Sequence, residues 1–162
     1  MASIRQVFES LNYSSVATIF VSGNVVFEAQ AQSNRALEIQ IEERLRETLG
    51  LEIATFIRTD AELAAIAANK PFAQSEIDAA GEFNIIFLGE TLVEESRPKL
   101  MALARDENVF HIHGREIYWL RRKKLEKTTF STVPLVKVIR HPFTIRTSKI
   151  VTKIALKYCF VI

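Results

Sequence analysis

The chain has 162 residues, 48% hydrophobic and 25% charged, with a formal net charge of +2; this is ordinary globular composition with material for a core, and it excludes a disordered or low-complexity chain. No apolar run reaches the ~18 residues of a helical membrane span, the N-terminus carries no export pattern, and a single cysteine, Cys159, excludes an internal disulfide framework and suits the cytoplasm. The small net charge hides a polarity, because residues 1–110 carry 9 Lys+Arg against 17 Asp+Glu (−8) and residues 111–162 carry 12 against 2 (+10). Such halves either attract each other or present a basic patch to an anionic partner.

In chain order, Ile4, Val7, Phe8 and Leu11 share one face of an amphipathic helix over residues 2 to 11. The β-branched and aromatic residues of 17–21 and 24–28 flank a Ser22-Gly23-Asn24 turn and predict a β-hairpin. A second helix starts at Asn34, read as its N-cap, with Leu37, Ile41, Leu45 and Leu49 on one face and Gly50 at its C-terminal cap. Leu51 to Arg58 returns to strand chemistry. Thr59-Asp60-Ala61-Glu62 is a capping box that opens an Ala-rich helix ending before Pro71.

A polar stretch over 73–82 separates two halves, taken as domains 1–78 and 79–162. The second half opens with the apolar strand Phe83–Leu88. Thr91-Leu92-Val93-Glu94 reads as another capping box, but Pro98 makes the helix after it kink or begin late. A hairpin follows over 109–113 and 116–120, then the basic run Arg121-Arg122-Lys123-Lys124. A helix opened by Pro134, a short strand over 143–146 and a last helix complete the chain. Thr147 or Ser148 caps that last helix, and Ile150, Ile154 and Tyr158 form its apolar face. The second half is thus the βαββαβ pattern of a ferredoxin-like unit. The first half repeats the pattern without its first strand, which predicts an α+β fold of two ferredoxin-like halves with mainly antiparallel sheets.

Several short motifs in their order and spacing resemble the bacterial domain of unknown function family 1697. They are Ser22-Gly23-Asn24-Val25-Val26-Phe27, Ile57-Arg58-Thr59, Asn69 with Pro71-Phe72, Gly114-Arg115-Glu116-Ile117-Tyr118, and Thr144-Ile145-Arg146 followed by Val151-Thr152-Lys153. The resemblance runs from Ile4 to Tyr158 and implies an α+β fold with two ferredoxin-like units and no assigned activity. It marks Ser22, Gly23, Asn24, Arg58, Thr144, Arg146 and Lys153 as family-motif positions. Family members begin with an apolar strand and a glycine-rich Arg-Gly-Ile-Asn loop, and this chain begins after both. Ser148 stands where the family has an aromatic residue, and Lys70 separates Asn69 from Pro71. The resemblance therefore implies a shortened member whose open sheet edge invites a second copy as partner.

Chemistry-bearing residues are few. His111 and His113 share one side of a strand, a spacing that can chelate a metal, but the sequence places no third ligand, and they are read as ordinary strand residues. Ser22 and Cys159 are the available nucleophiles, and neither sits in a nucleophile elbow. There is no phosphate-binding loop and no dinucleotide fingerprint, so no catalytic residue, metal or cofactor is assigned. Cys159-Phe160-Val161-Ile162 has the form of a prenylation box; in a bacterial chain it is read as an apolar tail. The strongest cluster is basic: Lys149, Lys153 and Lys157, four apart on the last helix, with Arg146 and the run Arg121, Arg122, Lys123, Lys124 and Lys127. These residues could track a phosphate backbone, with Tyr118 or Trp119 stacking on a base. The reading favoured is a binding or interaction module of unassigned function. Nucleic-acid binding through the basic half is the first alternative and an enzyme with an unrecognised site the second.

Overall fold

The apolar faces predicted for the first two helices meet in one core, to which the hairpin adds Val16 and Phe27. A computed structural model describes residues 2–19, 23–104, 107–122 and 132–159. In it α1 (Ala2–Ser10), the hairpin β1 (Ser14–Ile19) and β2 (Asn24–Glu28), and α2 (Asn34–Leu49) surround Val7, Phe8, Tyr13, Val16, Leu37, Ile41, Leu45 and Ile57. The rings of Phe8, Tyr13 and Phe27 lie 4.8 to 6.2 Å apart, in the range of favourable aromatic pairs. Gly50 ends α2 at φ +66°, as its position predicts, and its N–H donates to Arg46 O.

Two local features differ from the sequence expectation. The N-cap of α2 is Ser33, whose hydroxyl accepts from Ala36 N–H; Asn34 is thereby left to reach away, and its Nδ2 donates to Glu62 Oε1 at 2.8 Å and Ile57 O at 3.3 Å. The segment Leu51 to Arg58 is not a strand. In a ferredoxin-like order the fourth strand lies beside the first, and among the described residues no strand precedes α1. The carboxylates of α2 take the backbone instead, with Thr55 N–H donating to Glu42 and Ile57 N–H to the buried Glu38.

The capping box at Thr59 and Glu62 is formed and opens α3 (Asp60–Ala68). The helix α4 (Gln74–Ala79) had no predictive signal, since only Ile77 of its six residues packs against a core. Then come β3 (Ala80–Leu88), α5 (Ser96–Met101), β4 (Asn108–His113), β5 (Glu116–Arg122), α6 (Val133–Ile139), β6 (Phe143–Thr147) and α7 (Ser148–Tyr158). The late start of α5 follows from Pro98, which lacks an N–H and is tolerated in a first turn, not in the second turn that a start at Thr91 would give it.

These four strands form one antiparallel sheet in the order β4-β5-β3-β6, the ferredoxin-like order predicted for this half. Alternation along β3 sends Ile86 and Leu88 to one face, under Leu100 of α5 and Leu135 and Ile139 of α6. Ile85 and Phe87 face the other way with Tyr118 and Leu120, under Ile66 of α3, Phe72 and Val151 of α7. Both faces of the sheet are covered. The expected boundary after residue 78 falls inside α4, and α3 on its N-terminal side packs on the C-terminal sheet, so the chain's two halves share a layer. In α7 the buried residues are Val151 and Ala155. Ile150, Ile154 and Tyr158 flank them half-buried, a rotation of one residue from the predicted face. No helix among the described residues is long and apolar enough to cross a membrane.

Candidate functional site

The predicted basic cluster divides into three groups. Lys149, Lys153 and Lys157 are all exposed, on a helix that carries no Asp or Glu. Arg121 and Arg122 instead meet carboxylates, at 3.7 Å to Glu82 and 3.4 Å to Glu76. Arg146 turns inward: its Nε donates to Asn24 Oδ1 at 2.8 Å, and its Nη1 to Thr144 Oγ1 at 2.6 Å and Ile145 O at 2.9 Å. Lys123, Lys124 and Lys127 lie outside the described residues, as does Ser22. The stacking role predicted for Tyr118 or Trp119 is corrected. Strand alternation sends one to each covered face, where the Tyr118 hydroxyl donates to Ile66 O and Trp119 Nε1 to Asn108 Oδ1.

A second cationic group lies against the sheet. Arg58 has a side chain only 4% exposed, and its guanidinium donates to Glu116 Oε2 at 2.9 Å, Leu88 O at 2.7 Å, Ile57 O at 2.9 Å and Arg115 O at 3.1 Å. It also lies over the Phe87 ring, 5.4 Å from its centroid. Burial pulls its pKa down, opposed by the charge and hydrogen bond of Glu116, and the group stays a cation. Arg115 extends the network to Glu62 Oε2 at 2.8 Å. Burial alone would raise the Glu62 carboxyl; hydrogen bonds from Thr59 N–H, Asn34 and Arg115, with the Arg115 charge, outweigh it and hold the group at about 2.

The register places these groups on one patch. Thr144 and Glu116 lie on either side of Phe87, and Arg146 lies across from Ile85, so all share the face that Arg58 covers. Four residues far apart in sequence, Asn24, Arg58, Thr144 and Arg146, all singled out in the sequence reading, therefore lie on or contact this face. Gly23 sits in the hairpin turn at φ +73°, a conformation that favours glycine, and Lys153 belongs to the exposed stripe instead. Sequence reading missed Asn34, Glu62, Arg115 and Glu116 as one network. The signal available was the pairing of a capping-box Glu with an arginine in a β-turn, 53 residues away.

A small cleft of about 60 Å³ opens between the C-terminal end of α3, α4, β3 and the first turns of α7. Ile66, Ala67, Ile77, Phe83 and Ile85 form its apolar walls, and Asn69, Lys70, Gln74, Ser148 and Thr152 its polar ones. His111 and His113 are exposed on the edge strand β4, and among the described residues no three His, Cys, Asp or Glu side chains gather as metal ligands. Burial, helped by the charge of Asp60, pushes the Cys159 thiol up, away from a reactive thiolate.

Comparison with known proteins gives a family and a fold. The family model described as "Protein of unknown function (DUF1697)" matches residues 1–118. A solved structure of a conserved bacterial protein from Streptococcus pneumoniae is similar at a TM-score of 0.72 and 21% identity, covering 97% of this chain and 87% of that one. No curated protein matches the sequence.

Proposed function

The chain belongs to the DUF1697 family of proteins of unknown function, and within that family we propose that it is a binding module for single-stranded nucleic acid, holding the phosphate backbone along α7 without reading sequence. The observation that carries this reading is the exposed stripe of Lys149, Lys153 and Lys157 on a helix free of acidic residues. Four residues of helix rise about 6 Å, so three lysines offer point charges over roughly 12 Å, a track for successive phosphates. Lysine suits this task because it neutralises charge without imposing a planar geometry. Base stacking on the sheet does not contribute, because α3 and α7 cover the face that carries Tyr118, and α5 and α6 cover the face that carries Trp119.

Fluorescence anisotropy of a labelled single-stranded RNA at several salt concentrations tests the reading. Neutralising three phosphates predicts a log–log salt slope of about −2. Replacing all three lysines by Ala removes that slope. Absence of binding at low salt, or binding indifferent to the triple replacement, overturns the proposal.

A further inference from the structure

The four-stranded sheet has two edges, and they differ in chemistry. On β6 the Ile145 carbonyl accepts from Arg146 Nη1 at 2.9 Å, and the same guanidinium is tied to Asn24 of the hairpin, so a charged side chain blunts that edge. In the separate hairpin, the pairing of β1 is interrupted between Ser14 and Ala17, where Ser15 has φ +50°. The other edge of the large sheet, β4 (Asn108-Val109-Phe110-His111-Ile112-His113), carries none of these devices. It has no Lys, Arg, Asp, Glu or Pro, and its register with β5 runs unbroken from Asn108 opposite Arg121 to His113 opposite Glu116.

The register also fixes which backbone groups of β4 stay open. Arg122 N–H donates to Glu107 O, and alternation from there turns the N–H and C=O of Val109, His111 and His113 toward β5. Those of Asn108, Phe110 and Ile112 point away from the sheet, and no strand among the described residues pairs with them. The His111 and His113 side chains beside them are exposed, so the rim is open on that face.

We propose that β4 pairs antiparallel with β4 of a second copy about a two-fold axis at Phe110, joining the two sheets into one. This register uses every open group: Phe110 pairs with its own counterpart, and Asn108 and Ile112 pair with each other. It also sets His111 opposite Val109 and His113 opposite Glu107, so an imidazole donor meets a carboxylate and no like charges lie directly opposite. A foreign peptide is the poorer occupant. Edges that capture peptides read alternate side chains in neighbouring pockets, whereas the cleft between α3, α4, β3 and α7, and the hollow between α4 and Arg122, have no β4 residue in their walls. The contact is one strand wide, which places it among small, transient interfaces. It does not depend on the lysine stripe.

Sedimentation equilibrium of the full chain from about 10 μM to about 1 mM, with amide hydrogen exchange at both ends of that range, tests the pairing. A monomer–dimer equilibrium is expected, in which the Asn108, Phe110 and Ile112 amides exchange more slowly at high concentration. The amides of Val109, His111 and His113, already bonded to β5, change less. His111→Lys replaces an exposed side chain and sets two lysines diagonally across the join; it is expected to weaken the dimer about tenfold or more with the unfolding midpoint of the parent. His113→Glu opposes two carboxylates and is expected to do the same, whereas His113→Lys keeps opposite charges face to face and retains the dimer. A chain monomeric at about 1 mM, a dimer whose outward amides exchange as in the monomer, or one that both weakening variants leave intact, overturns the proposal.

Discussion

The two cationic regions carry charge of the same sign and use it in opposite ways. Arg58 and Arg146 face inward, and their planar guanidiniums divide several hydrogen bonds among carbonyl and side-chain oxygens. Lys149, Lys153 and Lys157 point outward from α7. The division follows the chemistry of the two side chains: guanidinium is weakly hydrated and forked, so it tolerates burial, whereas ammonium is strongly hydrated and stays at the surface. It also resolves the charge polarity along the chain. Arg115, Arg121 and Arg122 from the basic half meet Glu62, Glu76 and Glu82 from the acidic half, so much of the asymmetry acts within the molecule. The three lysines of α7 instead carry their charge on an exposed helix face.

Removing Arg58 breaks that comparison most severely. Arg58→Ala leaves the buried Glu116 carboxylate without its cation and the carbonyls of Leu88 and Arg115 without this donor. Breaking one side of a buried pair costs about 3–5 kcal/mol, a large fraction of the stability of a domain this size. Urea unfolding of the variant is expected to show an unfolding free energy lowered by about that amount; a change under about 1 kcal/mol, the worth of an exposed pair, contradicts a structural role for Arg58.

Glu62 gives a smaller effect with a defined pH signature. Its folded pKa of about 2 lies below its unfolded value, so the unfolded chain binds more protons between the two and stability rises with pH through that window. The contribution is complete above the unfolded pKa, near 4.3, and is lost as pH falls through the folded value. Since the Glu62 side chain is 38% exposed, the effect is more modest than that of Arg58. Parent and Glu62→Gln stabilities are expected to differ most above pH ~5 and to converge toward pH ~2; a difference independent of pH rejects the ionised network.

Much of this architecture was legible in the sequence, for local reasons. The α1 face, the capping box at Thr59, the hairpins and the βαββαβ order of the second half each rest on periodicity or on turn and cap chemistry within a few residues. What failed depended on distant partners. Residues 51–58 have strand composition, but whether they join a sheet depends on a neighbouring strand, and the Glu38 and Glu42 carboxylates substitute for one. Arg146 and Lys149 looked alike as members of one basic cluster, three residues apart. They are separated by the strand-to-helix transition at Thr147, which turns one inward beside Asn24 and leaves the other on the surface. The cleft was invisible because Asn69, Lys70, Ser148 and Thr152 meet only when α3 and α7 pack together.

The smallest expected effect on stability sharpens the contrast best. Lys149, Lys153 and Lys157 lie on an exposed face, and surface substitutions away from buried partners usually change stability by within about 0.5 kcal/mol. Alanine also has the higher helix propensity, which offsets part of whatever the lysines contribute through the helix dipole and their stems. The triple Ala variant is therefore expected to unfold in urea at nearly the parent midpoint with an unchanged slope, while its nucleic-acid binding is lost. A change of several kcal/mol instead would make the stripe part of the fold, as Arg58 is, and any loss of binding in that variant would then report unfolding rather than lost phosphate contacts.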